Sequence, residues 1–364
     1  MKAVTILGTR PEIIKMSPLL PKLDKGFNHV LIHTNQHYSE NMDRIFFREL
    51  KLQEPRYNLN IGSGTHAEQT SKMMAGLEKA LLRENPSFVV VNGDTNTTMA
   101  GALTAAKLRI PLVHVEAGCR SFNRNMPEEI NRIIADHCSN FLVATDKTSH
   151  DNLISEGIPK KSVVVSGSTA IEAALRNRKF AGKSQISNEL GLKKKKYILC
   201  TIHRAENTNN VNILKGIVEA LNSLSRKIRI VFPMHPRTGK IIKENKIKLS
   251  TNMKTIEPQG YLEFLNLMDN SLLVMSDSGG IQEESAALDV PCLILRNETE
   301  WTYLTEAGKN MLLGTSAKGI ISKTEYLLNS RKELEKMSRI RIGVEGNASK
   351  VIMKAIKKFV NEIK

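Results

Sequence analysis

Short runs of apolar, β-branched residues recur along the chain, with helix-length stretches between them. The first half carries 3-AVTIL-7, 29-HVLIHT-34, 88-FVVVNG-93, 111-PLVHVEAG-118, 141-FLVAT-145 and 163-VVVSG-167. The second half carries 197-YILCTIH-203, 228-IRIVFPMH-235, 272-LLVMSDSG-279, 291-PCLILR-296 and 311-MLLGT-315. A strand that is apolar throughout has both faces buried, as in a parallel sheet covered by helices on each side. Two such series in 364 residues predict an α/β chain of two doubly wound, Rossmann-like domains, because single cores stop growing beyond about 250–300 residues. The composition turns polar and basic over residues 168–196, which sets the expected boundary near Gly167. Residues 1–167 then form one domain and residues 168–347 the other, with a last helix at 348–364 able to complete the first.

In open α/β sheets ligands bind beyond the carboxyl ends of the strands. The unusual polar residues gather at such ends: Thr9, Arg10 and Glu12, then Asp94, His114 and Glu116, and later His203 and Ser278. A ligand in a cleft between the two domains would meet all of them. The sharpest single segment is Leu272 to Leu295, which reads as strand, Ser-Gly-Gly turn, helix and strand. A helix N-terminus preceded by glycines lets the backbone N–H groups and the helix dipole face an anion. Glu283 and Glu284 are expected on the first turn of that helix, where one of them can accept hydrogen bonds from a ribose diol. The plain alternative is a tightly packed buried turn.

The net charge is +16, which raises nucleic acid as a partner. The lysines are scattered, aromatics are only 5%, and no zinc-finger, helix-turn-helix or RNP-like pattern accompanies them. Solvated surface is the better reading, and no nucleic-acid partner is expected. No apolar run approaches the roughly 18–20 residues that span a bilayer, and MKAVTILGTRPE turns polar after one short strand. A cytoplasmic protein without membrane contact is predicted. The cysteines Cys119, Cys138, Cys200 and Cys292 lie far apart, so neither disulfides nor a zinc site is expected. With no GxGxxG, Walker or HExxH pattern, no nicotinamide, metal or other cofactor is expected.

Each candidate side chain has a chemical and a structural reading. Arg10 and Lys15 can clamp a phosphate, or cap a loop and face solvent. Asp94 is a carboxylate at a sheet end, or simply an N-cap. Glu116 ends a buried strand, where a carboxylate is costly without a partner or a function. Glu128 and Glu129 open a helix behind Pro127 and complement its dipole, with Arg132 close enough to orient a ligand or a carboxylate. His203 can exchange a proton near neutral pH, or serve as a hydrogen-bonded structural residue.

Taken in order, 8-GTRPEIIK-15, 93-GDTNTT-98, 114-HVEAGCRS-121, 127-PEEINR-132, 202-IHRAEN-207 and 276-SDSGGIQEE-284 resemble the non-hydrolysing UDP-N-acetylglucosamine 2-epimerases over nearly the whole chain. The resemblance implies a glycosyltransferase-B-type fold with the active site in the interdomain cleft, a homodimer, and interconversion of UDP-N-acetylglucosamine and UDP-N-acetylmannosamine for cell-surface polysaccharides. It implies a catalytic group of Asp94, Glu116, Glu128 and His203. Arg10 and Lys15 would contact phosphates and sugar, with Arg132 nearby. Gln259 and Phe264 would frame the uracil, Ser278, Gly279 and Gly280 would hold the diphosphate, and Glu284 the ribose. The attributed chemistry removes the proton at carbon 2 as UDP leaves carbon 1, then returns both to give the other epimer.

Two departures stand out. In 299-TEWTY-303, Trp301 replaces an arginine that helps bind substrate in many relatives. A modified UDP-sugar, such as a UDP-linked N-acetylated uronic acid, is therefore the nearest alternative substrate, with a glycosyltransferase on the same fold further off. Tyr38 and Ser39, beside Gln36 and His37, together with Glu68, differ from the residues that build a second, activating nucleotide-sugar site in bacterial relatives. Allosteric activation by substrate is not implied.

Overall fold

The computed structural model describes residues 1–35, 46–342 and 346–362. They form two compact units, Met1–Ala173 with Glu345–Lys364, and Ala174–Val344.

The first unit is built on seven parallel strands: β1 (Lys2–Leu7), β2 (Asn28–His33), β3 (Tyr57–Asn58), β4 (Phe88–Asn92), β5 (Leu112–Ala117), β6 (Phe141–Ala144) and β7 (Val163–Val165). Their order is β3-β2-β1-β4-β5-β6-β7. β1 pairs with β2 on one side and β4 on the other, so the crossovers on its two sides run in opposite directions. Such a switch point splays the connections apart at the carboxyl ends and leaves room for a ligand. Val4, Ile6, Val30, Ile32, Val89 and Val91 are buried in one cluster with Met73, Leu77 and Leu81 of the helix His66–Glu84. Burying each such side chain contributes about 1.5–3 kcal/mol.

The last helix, Ala348–Glu362, belongs to this unit. Its buried residues Ile352, Met353, Ile356, Phe359 and Val360 follow helical spacing. Phe359 stacks on Phe141 with ring centroids 5.1 Å apart. The backbone N–H and hydroxyl of Ser349 donate to the buried Glu172 carboxylate at 2.7 and 2.6 Å.

The second unit carries six parallel strands: β8 (Tyr197–Thr201), β9 (Arg229–Pro233), β10 (Met253–Ile256), β11 (Leu273–Ser276), β12 (Cys292–Ile294) and β13 (Asn310–Leu312). The order β10-β9-β8-β11-β12-β13 puts the switch point between β8 and β11. Ile198, Cys200, Ile230, Phe232, Leu273, Met275 and Leu293 form its buried centre.

Each apolar run of the sequence contributes a strand. Two strands lack such a run. β3 is only two residues long, and β10 alternates buried Met253 with exposed Thr255 at the sheet edge. Among the described residues no helix is long and apolar enough to cross a membrane.

Candidate active site

In the first unit the chemistry collects beyond β1, β4 and β5, on both sides of the switch point. Arg10 opens the helix Arg10–Met16 directly after the β1 turn, and its guanidinium lies 5.5 Å from the Phe46 ring centroid. The turn is held from below by Glu12. Its carboxylate accepts the N–H groups of Gly8 and Thr9 at 2.9 and 2.8 Å, and the hydroxyls of Thr95 and Thr98 at 2.9 and 3.2 Å. Glu12 thus fastens the Arg10 turn to the Asp94 turn.

Asp94 is not an N-cap. Thr95 takes that role for the helix Asn96–Lys107 and accepts the Thr98 N–H. The Asp94 side chain, 27% exposed, instead takes two hydrogen bonds from Arg132. Arg132 is buried in the helix Pro127–Cys138 and also donates to Glu129 at 2.7 Å. Glu129, read from the sequence as a dipole partner, accepts the Ser121 and Phe122 N–H groups at 2.9 Å each. It braces Arg132 and the loop before it. Glu128, one residue earlier, is half-buried.

Glu116 shows how the carboxylate at a strand end is tolerated. The β5–β6 register shifts between Val115 and Ala117, and Glu116 takes a positive φ of 69°, a left-handed conformation costly for a residue with a Cβ. The irregularity re-aims its side chain. Glu116 is 6% exposed and ion-paired with Lys15. Burial pushes its carboxyl above the ordinary carboxylate range, against the pull of Lys15, with the Asp94 charge adding to the rise.

His114, one of the strand-end residues, is buried structure. Its Nδ1 meets Asp136 at 2.7 Å and its Nε2 the Gly93 carbonyl at 2.8 Å. Arg120 reaches the same Asp136 at 2.7 Å.

In the second unit, the Ser278 turn follows β11 and His203 follows β8, again astride the switch point. Ser278 is the N-cap of the helix Gly279–Ala287, and its N–H donates to the Ser276 hydroxyl at 3.0 Å. The helix starts earlier than the acidic pair: Glu283 and Glu284 are its fifth and sixth residues, outside the first turn. They do not act on the dipole of the terminus. Glu283 is fully buried, and Glu284 is half-buried.

The two glycines differ. A Cβ on Gly279 would stand 2.3 Å from Glu300 Oε1, whereas one on Gly280 would meet no atom within 4 Å. Glu300 is tied in turn to Arg296 at 2.8 Å and Arg204 at 3.4 Å, and Arg296 reaches Glu206 at 2.8 Å. Gln259 donates to the Glu257 carbonyl at 2.6 Å. Phe264 lies one helical turn beyond Gly260, on the half-buried face of the helix Tyr261–Asn270.

Sequence reasoning passed over Asp277, Arg296 and Asp136. All three are buried charges. A charged residue at or beside an apolar run, as Asp277 is in LLVMSD, was the available signal.

A family model described as UDP-N-acetylglucosamine 2-epimerase matches residues 22–357. The chain belongs to the UDP-N-acetylglucosamine 2-epimerase family. It is 50% identical over 343 residues to the UDP-N-acetylglucosamine 2-epimerase of Methanocaldococcus jannaschii, covering 91% of this chain and 93% of that one. A structure of the Methanocaldococcus jannaschii UDP-GlcNAc 2-epimerase in complex with UDP-GlcNAc and UDP superposes with a TM-score of 0.88 at 46% identity, over 98% of this chain and all of that one. The UDP-2,3-diacetamido-2,3-dideoxy-D-glucuronate 2-epimerase of Pseudomonas aeruginosa is 41% identical over 334 residues, 90% of this chain and 92% of that one. The two-domain α/β fold and the isomerase class of the family are those expected from the motifs.

Trp301 is 2% exposed, stands edge-on to Tyr303 and brings its Nε1 within 3.4 Å of a Cβ built on Gly279. Glu68 closes a capping box with Thr65, accepting the Thr65 N–H at 2.9 Å. Gln36, His37, Tyr38 and Ser39 lie outside the described residues.

Proposed function

We propose that the chain interconverts UDP-N-acetylglucosamine and UDP-N-acetylmannosamine by losing UDP and adding it back. The observation that carries the reading is the matching use of the two switch points: carboxylates beyond one sheet, and a glycine turn with His203 beyond the other. The sugar end of the substrate uses the first set. Asp94, Glu116 and Glu128 move the proton at carbon 2, and Glu116, which holds a proton more readily than an ordinary carboxylate, is suited to hand one back. The nucleotide end uses the second set. Ser278, Gly279 and Gly280 hold the diphosphate, Glu284 the ribose, and Gln259 and Phe264 the uracil. Arg10, Lys15 and a protonated His203 offset the charge that develops as UDP departs. Work in the cytoplasm as a homodimer fits this reading.

Turnover of UDP-N-acetylglucosamine in heavy water tests it. Both epimers should carry deuterium at carbon 2. Interconversion with only protium there would overturn the elimination route.

A second reading has its own support in the 41%-identical glucuronate epimerase. Comparing kcat/KM for UDP-N-acetylglucosamine and UDP-2,3-diacetamido-2,3-dideoxy-D-glucuronate decides between them. A preference for the second by tenfold or more, about 1.4 kcal/mol, would replace the first as the substrate.

A further inference from the structure

We propose that Asp277 is the positioning residue of His203: it holds Nδ1 of the imidazole and thereby turns Nε2 toward the departing diphosphate. The inference rests on the assignment of His203 to the reaction made above. Asp277 is the first residue beyond β11, and its side chain is fully buried. Its Oδ1 lies 3.1 Å from His203 Nδ1. The same carboxylate accepts the backbone N–H of His203 at 3.0 Å and of Arg204 at 3.0 Å, and the Asn207 side-chain amide at 3.0 Å. Burial alone would push this carboxyl up, yet His203 and these donors hold it below the ordinary carboxylate range, so it is an anion at neutral pH.

The other charged groups around the ring are engaged elsewhere or lie farther off. Arg204 reaches Glu300 at 3.4 Å, and Glu206 reaches Arg296 at 2.8 Å. The His235 ring stands 6.0 Å away and accepts the Arg237 N–H. Among the described residues, Asp277 is the carboxylate in ion-pair contact with His203.

Asp277 also directly precedes Ser278, the N-cap of the helix Gly279–Ala287. One side chain therefore sets the imidazole and the start of the anion-binding turn in a common frame. A purely architectural role would need only the backbone and Asn207 bonds. The Nδ1 contact adds something the turn does not require: it keeps one ring proton on Nδ1, so that the proton the ring offers to the departing diphosphate is the one carried on Nε2, the orienting logic by which a carboxylate serves a catalytic histidine.

Ring nitrogen NMR on the full-length chain tests this, with the His203 signals identified by their loss in His203→Asn. Neutral His203 should carry its proton on Nδ1. Kinetically, Asp277→Asn should lower kcat by about 10- to 100-fold, the range for outer partners of a functional imidazole. It should add no further loss on top of His203→Asn, because it acts through that ring. A proton on Nε2, or a double variant whose losses multiply, overturns the proposal. Full turnover by His203→Asn would instead overturn the assignment of His203 itself. If Asp277→Asn does not fold, the tautomer of the unsubstituted protein still decides.

Discussion

Arg132 grips Asp94 at Oδ2. Its Nη2 and Nε lie 2.6 and 3.1 Å from that oxygen, so the fork anchors the carboxylate at Oδ2. Asp94→Asn keeps an oxygen for the fork and should leave the melting temperature nearly unchanged. The maximal rate should fall by roughly 100-fold or more, the contribution of a positioned acid–base group, with little change in UDP affinity. Arg132→Met strips the charge partner from Glu129 as well as Asp94, and should cost about 3–5 kcal/mol of stability. Rate assays beside denaturant titrations separate the two outcomes. Full activity in Asp94→Asn would return Asp94 to a structural role.

The two glycines of the anion turn should respond differently to alanine. Gly279→Ala drives a Cβ onto the tethered Glu300 carboxylate and should lower stability by about 1–3 kcal/mol, as overpacking does. Gly280→Ala meets no protein atom and sits in a helix, where alanine is favoured. Its melting temperature should hold or rise while UDP binding weakens. Calorimetric UDP titration and melting curves on both variants check this, and unchanged UDP affinity in Gly280→Ala would remove Gly280 from the diphosphate site.

Glu284 sits beyond the first helical turn, so a dipole role no longer competes with ribose binding. A diol donating to a carboxylate contributes about 1.5–3 kcal/mol. Glu284→Gln should therefore weaken UDP by roughly ten- to a hundredfold with the fold intact. Unchanged affinity by calorimetry would sink the ribose assignment.

Asp136 should make the first unit acid-sensitive. Burial alone would raise its carboxyl, but His114 and Arg120 hold it below the ordinary carboxylate range. A depressed folded value contributes stability that is present above the unfolded value of about 3.9 and is lost as pH falls through the folded one. Asp136→Asn should melt well below the wild type at neutral pH, and the gap should narrow as pH drops through 4. A gap that stays constant across the acid range would show that Asp136 contributes packing rather than charge.

The sheets were legible because a doubly buried strand writes itself as an uninterrupted apolar run. β10 escaped because Lys254 and Thr255 break its run at a half-solvated edge. The placement of Asp94, Glu116 and His203 at strand ends was legible for the same reason. Their partners were not: Arg132 lies 38 residues from Asp94, Lys15 lies 101 from Glu116, and Asp277 lies 74 from His203. Such separations follow from strand order, which local pattern does not encode. The helix starts at Gly279, within the expected Ser-Gly-Gly turn rather than after it, because an N-cap is defined by backbone geometry and the serine before the glycines takes it.

The return of the helix Ala348–Glu362 to the first unit makes the unit that is begun first the one that is finished last. Phe141 and Glu172 leave the ribosome long before Phe359 and Ser349, the groups that cover them. During synthesis the carboxylate-bearing unit therefore waits with apolar surface exposed while the entire second unit is made, and a nascent chain halted short of Ala348 holds every proposed catalytic residue without the helix that closes the first core.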